Sequence, residues 1–210
     1  GMLLPALYAI VDAQTAAEHN WEVPTLAEAF LAGGARLLQI RGGVAPSGTL
    51  QRWTDAVVSK AARYDATVIV NNRADVARIA GAAGVHLGQG DLTVEAVRRQ
   101  LGPDAIIGLS THSPTELDTA WGQAVTYVAV GPVYGTVTKT TKYDAVGTAL
   151  VQLAAAREPS RPVVAIGGVT LDRAPEVIAA GAASVAVIGD LLTGGDPAKR
   201  VRDYVEALAK

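Results

Sequence analysis

Short apolar runs in this sequence end again and again in polar residues or glycines. They are Gln39-Ile40-Arg41, Asn71-Asn72-Arg73, His86-Leu87-Gly88-Gln89-Gly90-Asp91, Ser110-Thr111-His112, Gly131-Pro132, Gly167-Gly168 and Gly189-Asp190. Glycines at Gly167, Gly168 and Gly189 would let backbone N–H groups approach a phosphate, or simply make tight turns. Asp190 repels an anion there unless it points away or caps a short helix. The Thr136-Val137-Thr138-Lys139 loop carries hydroxyl donors and a cation that suit a phosphoryl group, and reads equally well as a solvated polar loop. Gln39 and Arg41 alternate along one strand and so face the same way. An inward arginine requires an anion, either a ligand phosphate or a carboxylate such as Asp91. Asp91 is also a candidate Mg²⁺ ligand in company with phosphate oxygens and waters, or the cap of a helix starting near Thr93.

The three histidines differ. His86 is alone in mid-strand and reads as a core or supporting residue rather than a metal ligand. His112 ends a strand and is a better site candidate, or a helix-capping aid. His19 has no partner in view. There is no His-x-x-x-His, no Ser/His/Asp pattern and no long glycine fingerprint, so metalloprotease, hydrolase and dinucleotide readings lack support.

The elements that must position these groups alternate between β and α. Strands are predicted over Ala6–Val11, Leu37–Arg41, Thr67–Asn71, Gly84–Leu87, Ala105–Leu109, Tyr127–Val130, Val163–Ile166 and Ser184–Ile188. Near-continuous apolar runs of this kind suit parallel strands covered by helices. Thr25 with Glu28 and Ser113 with Glu116 have capping-box spacing, and Asp196-Pro197 starts a last helix. Leu50, Trp53, Val57 and Ala61 share one helix face, while Gly33-Gly34, Gly102 and Gly181 are placed to end helices. Eight such units in 210 residues fit a compact (β/α)₈ (TIM) barrel spanning the whole chain as one domain, with a doubly wound sheet as the alternative. In a barrel the strand ends above converge on one mouth, with the loops after strands 7 and 8 as the usual phosphate site.

Composition bounds the partners. Half the residues are hydrophobic and 18% are charged, which excludes wholesale disorder. A net charge of −2 offers no attraction for nucleic acid or an anionic membrane. The absence of cysteine removes disulfides, zinc–thiolate sites and thiol nucleophiles. The longest uncharged stretch near residue 130 is broken by glycines and a proline, and no lysine or arginine precedes Arg36. A cytoplasmic protein is expected, with Gly1 ahead of Met2 reading as a tag remnant.

Leu7-Tyr8-Ala9-Ile10, Gln39-Ile40-Arg41, Val70-Asn71-Asn72-Arg73, Gly84-Val85-His86-Leu87-Gly88-Gln89-Gly90-Asp91-Leu92, Gly108-Leu109-Ser110-Thr111, Gly131-Pro132-Val133-Tyr134, Thr136-Val137-Thr138-Lys139 and Ala165-Ile166-Gly167-Gly168 together resemble the thiamine phosphate synthase family in order and spacing. The resemblance implies a (β/α)₈ barrel that joins a hydroxymethylpyrimidine pyrophosphate to a hydroxyethylthiazole phosphate. It implies that Gln39, Asn71 and Ser110 hold the pyrimidine and pyrophosphate, with Arg41 and Lys139 neutralising the latter. It further implies Mg²⁺ on Asp91, thiazole phosphate on Thr136 and Thr138, and a pocket finished by Gly168, Ile188 and Gly189.

Two positions depart from the family pattern. Gly43 stands where a lysine is usual, and Asn72 where a second Mg²⁺-binding aspartate is usual, so Asn72 would coordinate through its amide oxygen. Lys142 is a possible substitute cation. Gly189-Asp190 also replaces the family's usual Ser-Ala. Two alternatives follow: a thiazole tautomerase-like isomerase, or a non-catalytic sensor of a thiamine intermediate. The tautomerase branch places a histidine where this chain has Pro132.

Overall fold

A computed structural model describes residues 3–135 and 143–209. The strands are β1 (Leu7–Asp12), β2 (Leu37–Arg41), β3 (Thr67–Asn71), β4 (Gly84–Leu87), β5 (Ile106–Thr111), β6 (Tyr127–Val130), β7 (Val163–Ile166) and β8 (Ser184–Val187). Every adjacent pair is parallel, and β8 closes on β1, so the sheet is an eight-stranded closed barrel and not a doubly wound sheet. Around it run α1 (Ala13–Glu18), α2 (Val23–Gly33), α3 (Ser47–Ala62), α4 (Ala74–Ala80), α5 (Val94–Leu101), α6 (Pro114–Trp121), α7 (Gly147–Ala155), α8 (Ala174–Ala179) and α9 (Pro197–Leu208), with a 3₁₀ turn at Gly189–Leu192. No helix among the described residues is long and apolar enough to cross a membrane.

Strand alternation builds two cores. Tyr8, Ile10, Leu37, Ile69, Tyr127, Ala129, Val164 and Ala186 fill the barrel interior. The opposite faces of the strands pack against the helices through a larger cluster that includes Phe30, Leu38, Val57, Val85 and Val128. Alternate residues of a strand face opposite sides, so polar side chains at Gln39, Asn71, His86 and Ser110 belong to the inner set. The register puts Asn71 beside His86, and His86 beside Gly108.

Several local expectations change. Thr25 lies inside α2, whose first turn holds Pro24 and whose N-cap is Glu22 without a side-chain bond, so Thr25 and Glu28 form no capping box. Proline near the helix start fixes φ and moves the boundary upstream. Ser113 does cap α6, accepting from the Glu116 N–H, and Asp196 caps α9, accepting from the Lys199 N–H. The fifth strand runs on to Thr111, because the Thr111 hydroxyl donates to the Ala129 carbonyl and ties the strand end to β6. The first strand likewise extends to Asp12, whose carboxylate caps α1, an element absent from the sequence reading.

Candidate active site

The C-terminal ends of the strands bring Gln39, Arg41, Asn71, His86 and Ser110 to one mouth. Gln39 is buried, while Arg41, Asn71 and Ser110 are half-buried and reach the opening. The anion facing Arg41 is Asp12, not Asp91: Nε stands 3.8 Å from Asp12 Oδ1. The buried Asp12 carboxylate also accepts from the Thr15 N–H and hydroxyl, which fixes its position. Sequence reading passed over Asp12 because its α1-capping role appears only when the chain turns there. No hydrogen bond occupies the terminal nitrogens of Arg41 among the described residues, leaving two N–H₂ groups for an anion.

Beneath the mouth a run of hydrogen bonds crosses the barrel. Gln39 Nε2 donates to the Tyr8 hydroxyl at 3.1 Å, and the Tyr8 and Tyr127 hydroxyls are 2.8 Å apart. His86 Nδ1 lies 2.8 Å from the Tyr127 oxygen, and His86 Nε2 lies 2.7 Å from Ser110 Oγ. Burial pushes both tyrosine hydroxyls upward in pKa, so they stay protonated. Burial, helped by the positive charge of Arg41, lowers His86 to about 4, so the ring is neutral near pH 7. His86 is therefore a supporting residue, as its isolated mid-strand position suggests. Gly108 makes room for this arrangement: a Cβ there would stand 2.0 Å from Tyr127 Cζ. A glycine in mid-strand, beside tyrosines on the inward positions, is the sequence signal that could have revealed it.

The possible metal donors lie on the rim. Asp91 Oδ2 accepts the Gly88 N–H at 2.7 Å. Thr93, not Asp91, caps α5 by accepting from the Ala96 N–H, so the capping alternative for Asp91 is withdrawn. The second Asp91 oxygen has no hydrogen bond among the described residues. Asn72 is exposed with φ at +52°, and its N–H donates to the His86 carbonyl at 2.8 Å. Asparagine tolerates this left-handed geometry, which turns the chain out of β3. Among the described residues no group of three or more histidine or carboxylate side chains could hold a metal. One carboxylate and one amide oxygen are hard donors, and with substrate phosphates and water they suit Mg²⁺. Gly43, also left-handed at +57°, has open space around a notional Cβ, so it contributes shape and no charge.

On the far side lie the two glycine loops. Gly167 and Gly168 have φ of +107° and +66°, and a Cβ on Gly168 would lie 2.7 Å from the Gly135 carbonyl oxygen. Here glycine is required sterically. Arg173 donates to the Gly168 carbonyl at 2.9 Å and stacks 4.5 Å over the Tyr134 ring, and Tyr134 donates to Glu176. Gly189 is exposed at the start of the 3₁₀ turn, and Ile188 packs against the interior cluster.

Asp190 turns away from the mouth. Both its oxygens accept from Arg200 Nη2 at 3.0 Å, Oδ2 also from Tyr204 at 2.5 Å and from the Leu171 N–H at 3.0 Å, and Oδ1 from Thr193. The carboxylate is thus an anchor between the loops after β7 and β8 and helix α9, rather than a cap or an obstacle to phosphate. Burial and the neighbouring carboxylate push the Tyr204 hydroxyl upward in pKa.

His112 is drawn off the mouth: its ring and backbone N–H both bond Glu116, and the ring stacks 3.5 Å from Tyr143. The His19 ring bonds the Thr15 carbonyl at 2.8 Å. Thr136, Thr138, Lys139 and Lys142 lie outside the described residues.

Comparison with known proteins finds matches over nearly the whole chain. A family model described as thiamine monophosphate synthase matches residues 7–191. A thiamine-phosphate synthase of Koribacter versatilis is 40% identical, covering 99% of this chain and 98% of that protein. One of Mycolicibacterium smegmatis is 36% identical over 97% of this chain and 92% of its own. The solved structure of a thiamine phosphate pyrophosphorylase from Pyrococcus furiosus superposes with a TM-score of 0.85 at 29% identity, covering 98% of both chains. A full-length match at this identity places the chain in the thiamine monophosphate synthase family.

Proposed function

We propose that this chain is a transferase that couples hydroxymethylpyrimidine pyrophosphate to hydroxyethylthiazole phosphate, releasing pyrophosphate and forming thiamine phosphate. Family membership gives the reaction class. The observation that carries the assignment to this mouth is the Arg41 guanidinium, held against Asp12, at the same strand ends as the glycine loops after β7 and β8. One cation and one backbone-lined pocket serve two different phosphorylated substrates.

The reaction breaks the C–O bond between the pyrimidine methylene and pyrophosphate. The leaving oxygen keeps the electron pair, and the thiazole nitrogen lone pair then forms the new C–N bond. No protein base is needed, because a neutral ring nitrogen becomes cationic without losing a proton. What the protein supplies is stabilisation of the leaving group and alignment of nitrogen with carbon. Arg41, oriented by Asp12, donates to pyrophosphate, and Lys139 adds a second cation. Gln39, Asn71 and Ser110 hold the pyrimidine and its pyrophosphate. Gly168, Ile188 and Gly189 receive the thiazole phosphate, together with Thr136 and Thr138. Asp91 and the Asn72 amide oxygen would hold Mg²⁺, which would neutralise pyrophosphate charge when bound.

The test is thiamine phosphate formation by the purified protein from both substrates and Mg²⁺, with and without EDTA. Product that disappears with EDTA supports the synthase and the metal site together. Binding of the thiazole phosphate without product would instead favour the sensor reading. Turnover of a thiazole tautomer without added pyrimidine would favour the isomerase, against which Pro132 stands.

A further inference from the structure

Five side chains cross the barrel beneath the mouth in one unbranched line: Gln39, Tyr8, Tyr127, His86 and Ser110. The proposed reaction uses only the two ends. The three in the middle are almost fully enclosed, with Tyr8 at 1%, Tyr127 at 0% and His86 at 8% exposure. A tyrosine hydroxyl has one hydrogen to give, and a neutral imidazole has one N–H. The direction of one bond in such a line therefore sets all the others. Gln39 Nε2 gives a hydrogen to the Tyr8 oxygen. Among the described residues the one other partner of that hydroxyl is Tyr127, so its hydrogen points there. Tyr127 must then give its own hydrogen to His86 Nδ1, which obliges Nε2 to carry the ring hydrogen and to donate to Ser110 Oγ.

We propose that Gln39, Tyr8, Tyr127 and His86 form a directional relay that holds His86 as the Nε2–H tautomer and leaves the Ser110 hydroxyl hydrogen free to point into the mouth. Tyr8, Tyr127 and His86 are positioning residues. They act on substrate through Ser110, which is thereby made a donor. A line of the opposite direction would commit the serine hydrogen to His86 Nε2 and leave Ser110 able only to accept. The ligand group that takes the Ser110 hydrogen is therefore a hydrogen-bond acceptor, a phosphate oxygen or an unprotonated ring nitrogen. Gly108 belongs to the same device, since any side chain there displaces the Tyr127 ring from His86. The role of Ser110 toward substrate rests on the proposed function, whereas the tautomer does not.

The experiment has two arms. A ¹⁵N-labelled His19→Gln/His112→Gln protein retains His86 as its one histidine, and a long-range ¹H–¹⁵N correlation spectrum reads its tautomer directly without turnover. Protonated Nε2 with bare Nδ1 at pH 7 is expected. Protonated Nδ1, a mixture, or a ring protonated on both nitrogens overturns the relay. The second arm is a double-mutant cycle of Tyr127→Phe and Ser110→Ala in synthase turnover, with folding checked by thermal melting. Tyr127→Phe alone should lower kcat/KM about tenfold, the worth of one hydrogen bond. It should cost nothing further in the Ser110→Ala background, because the tyrosine acts through the serine. Independent, multiplying losses would show a merely structural role and overturn the proposal. If the protein shows no synthase turnover at all, the proposed function falls, while the spectrum still decides the tautomer.

Discussion

Replacing Asp190 with asparagine keeps the shape of the side chain and removes its charge and one acceptor. Oδ1 accepts from Arg200 and Thr193, and Oδ2 from Arg200, Leu171 and Tyr204. An amide cannot satisfy both sets. With its oxygen toward the three donors at Oδ2, its NH₂ faces the Arg200 guanidinium as donor against donor. A charge-assisted hydrogen bond contributes about 1.5–3 kcal/mol, and a charge left without its partner adds to the loss. The Asp190 and Arg200 side chains are 14% and 22% exposed, so water recovers part of this. We expect a net loss of about 2–3 kcal/mol, which for a chain of this size lowers Tm by roughly 5–10 °C. Asp203→Asn is the control. Its pair with Lys199 is exposed and should cost under about 1 kcal/mol. Thermal unfolding by circular dichroism of the two variants decides the matter. The Leu171 N–H hangs from the same carboxylate, so Asp190→Asn should also loosen the glycine loops and weaken thiazole phosphate binding about threefold, the effect of a fraction of one hydrogen bond. An Asp190→Asn protein that melts with Asp203→Asn would refute the anchor and return Asp190 to the status of an unexplained charge beside the pocket.

Two further outcomes follow from the site. Asn72→Asp is nearly isosteric and keeps the left-handed backbone, so it should tighten the Mg²⁺ dependence of turnover about tenfold by adding a carboxylate to Asp91. An unchanged Mg²⁺ half-saturation would remove Asn72 from the metal site. Adding Gly43→Lys supplies a cation in open space at a cost of roughly 1 kcal/mol in left-handed strain. Stability should also depend on pH through His86. Its folded pKa of about 4 lies below the ordinary histidine value, so the unfolded chain binds the extra proton first. The stabilisation is complete above about pH 6.5 and is lost as pH falls from there toward 4, by about 3 kcal/mol in all. Urea unfolding across that range measures it, and a His86→Gln protein should show the smaller slope. Equal slopes would mean that His86 titrates normally.

The sequence by itself determined the number and order of strands and where the mouth would lie. Period-two alternation put Gln39 and Arg41 on one side, and polar residues closing apolar runs marked the strand ends at Asn71, Ser110 and Gly167-Gly168. Local rules reached that far because they act within a few residues. Tertiary structure decided which charges and hydroxyls meet. Arg41 found Asp12 across the β1–β2 register rather than Asp91, and Asp190 was drawn outward by Arg200 and Tyr204 from a helix that follows it. Barrel closure, too, is a property of β8 finding β1, which no window of sequence contains. The relay depends on contacts such as Tyr8 with Tyr127, 119 residues apart, brought together only when the closed barrel points inward side chains at a common axis. There the low dielectric makes every unpaired polar atom costly, so these buried groups settle into a single hydrogen-bonded line.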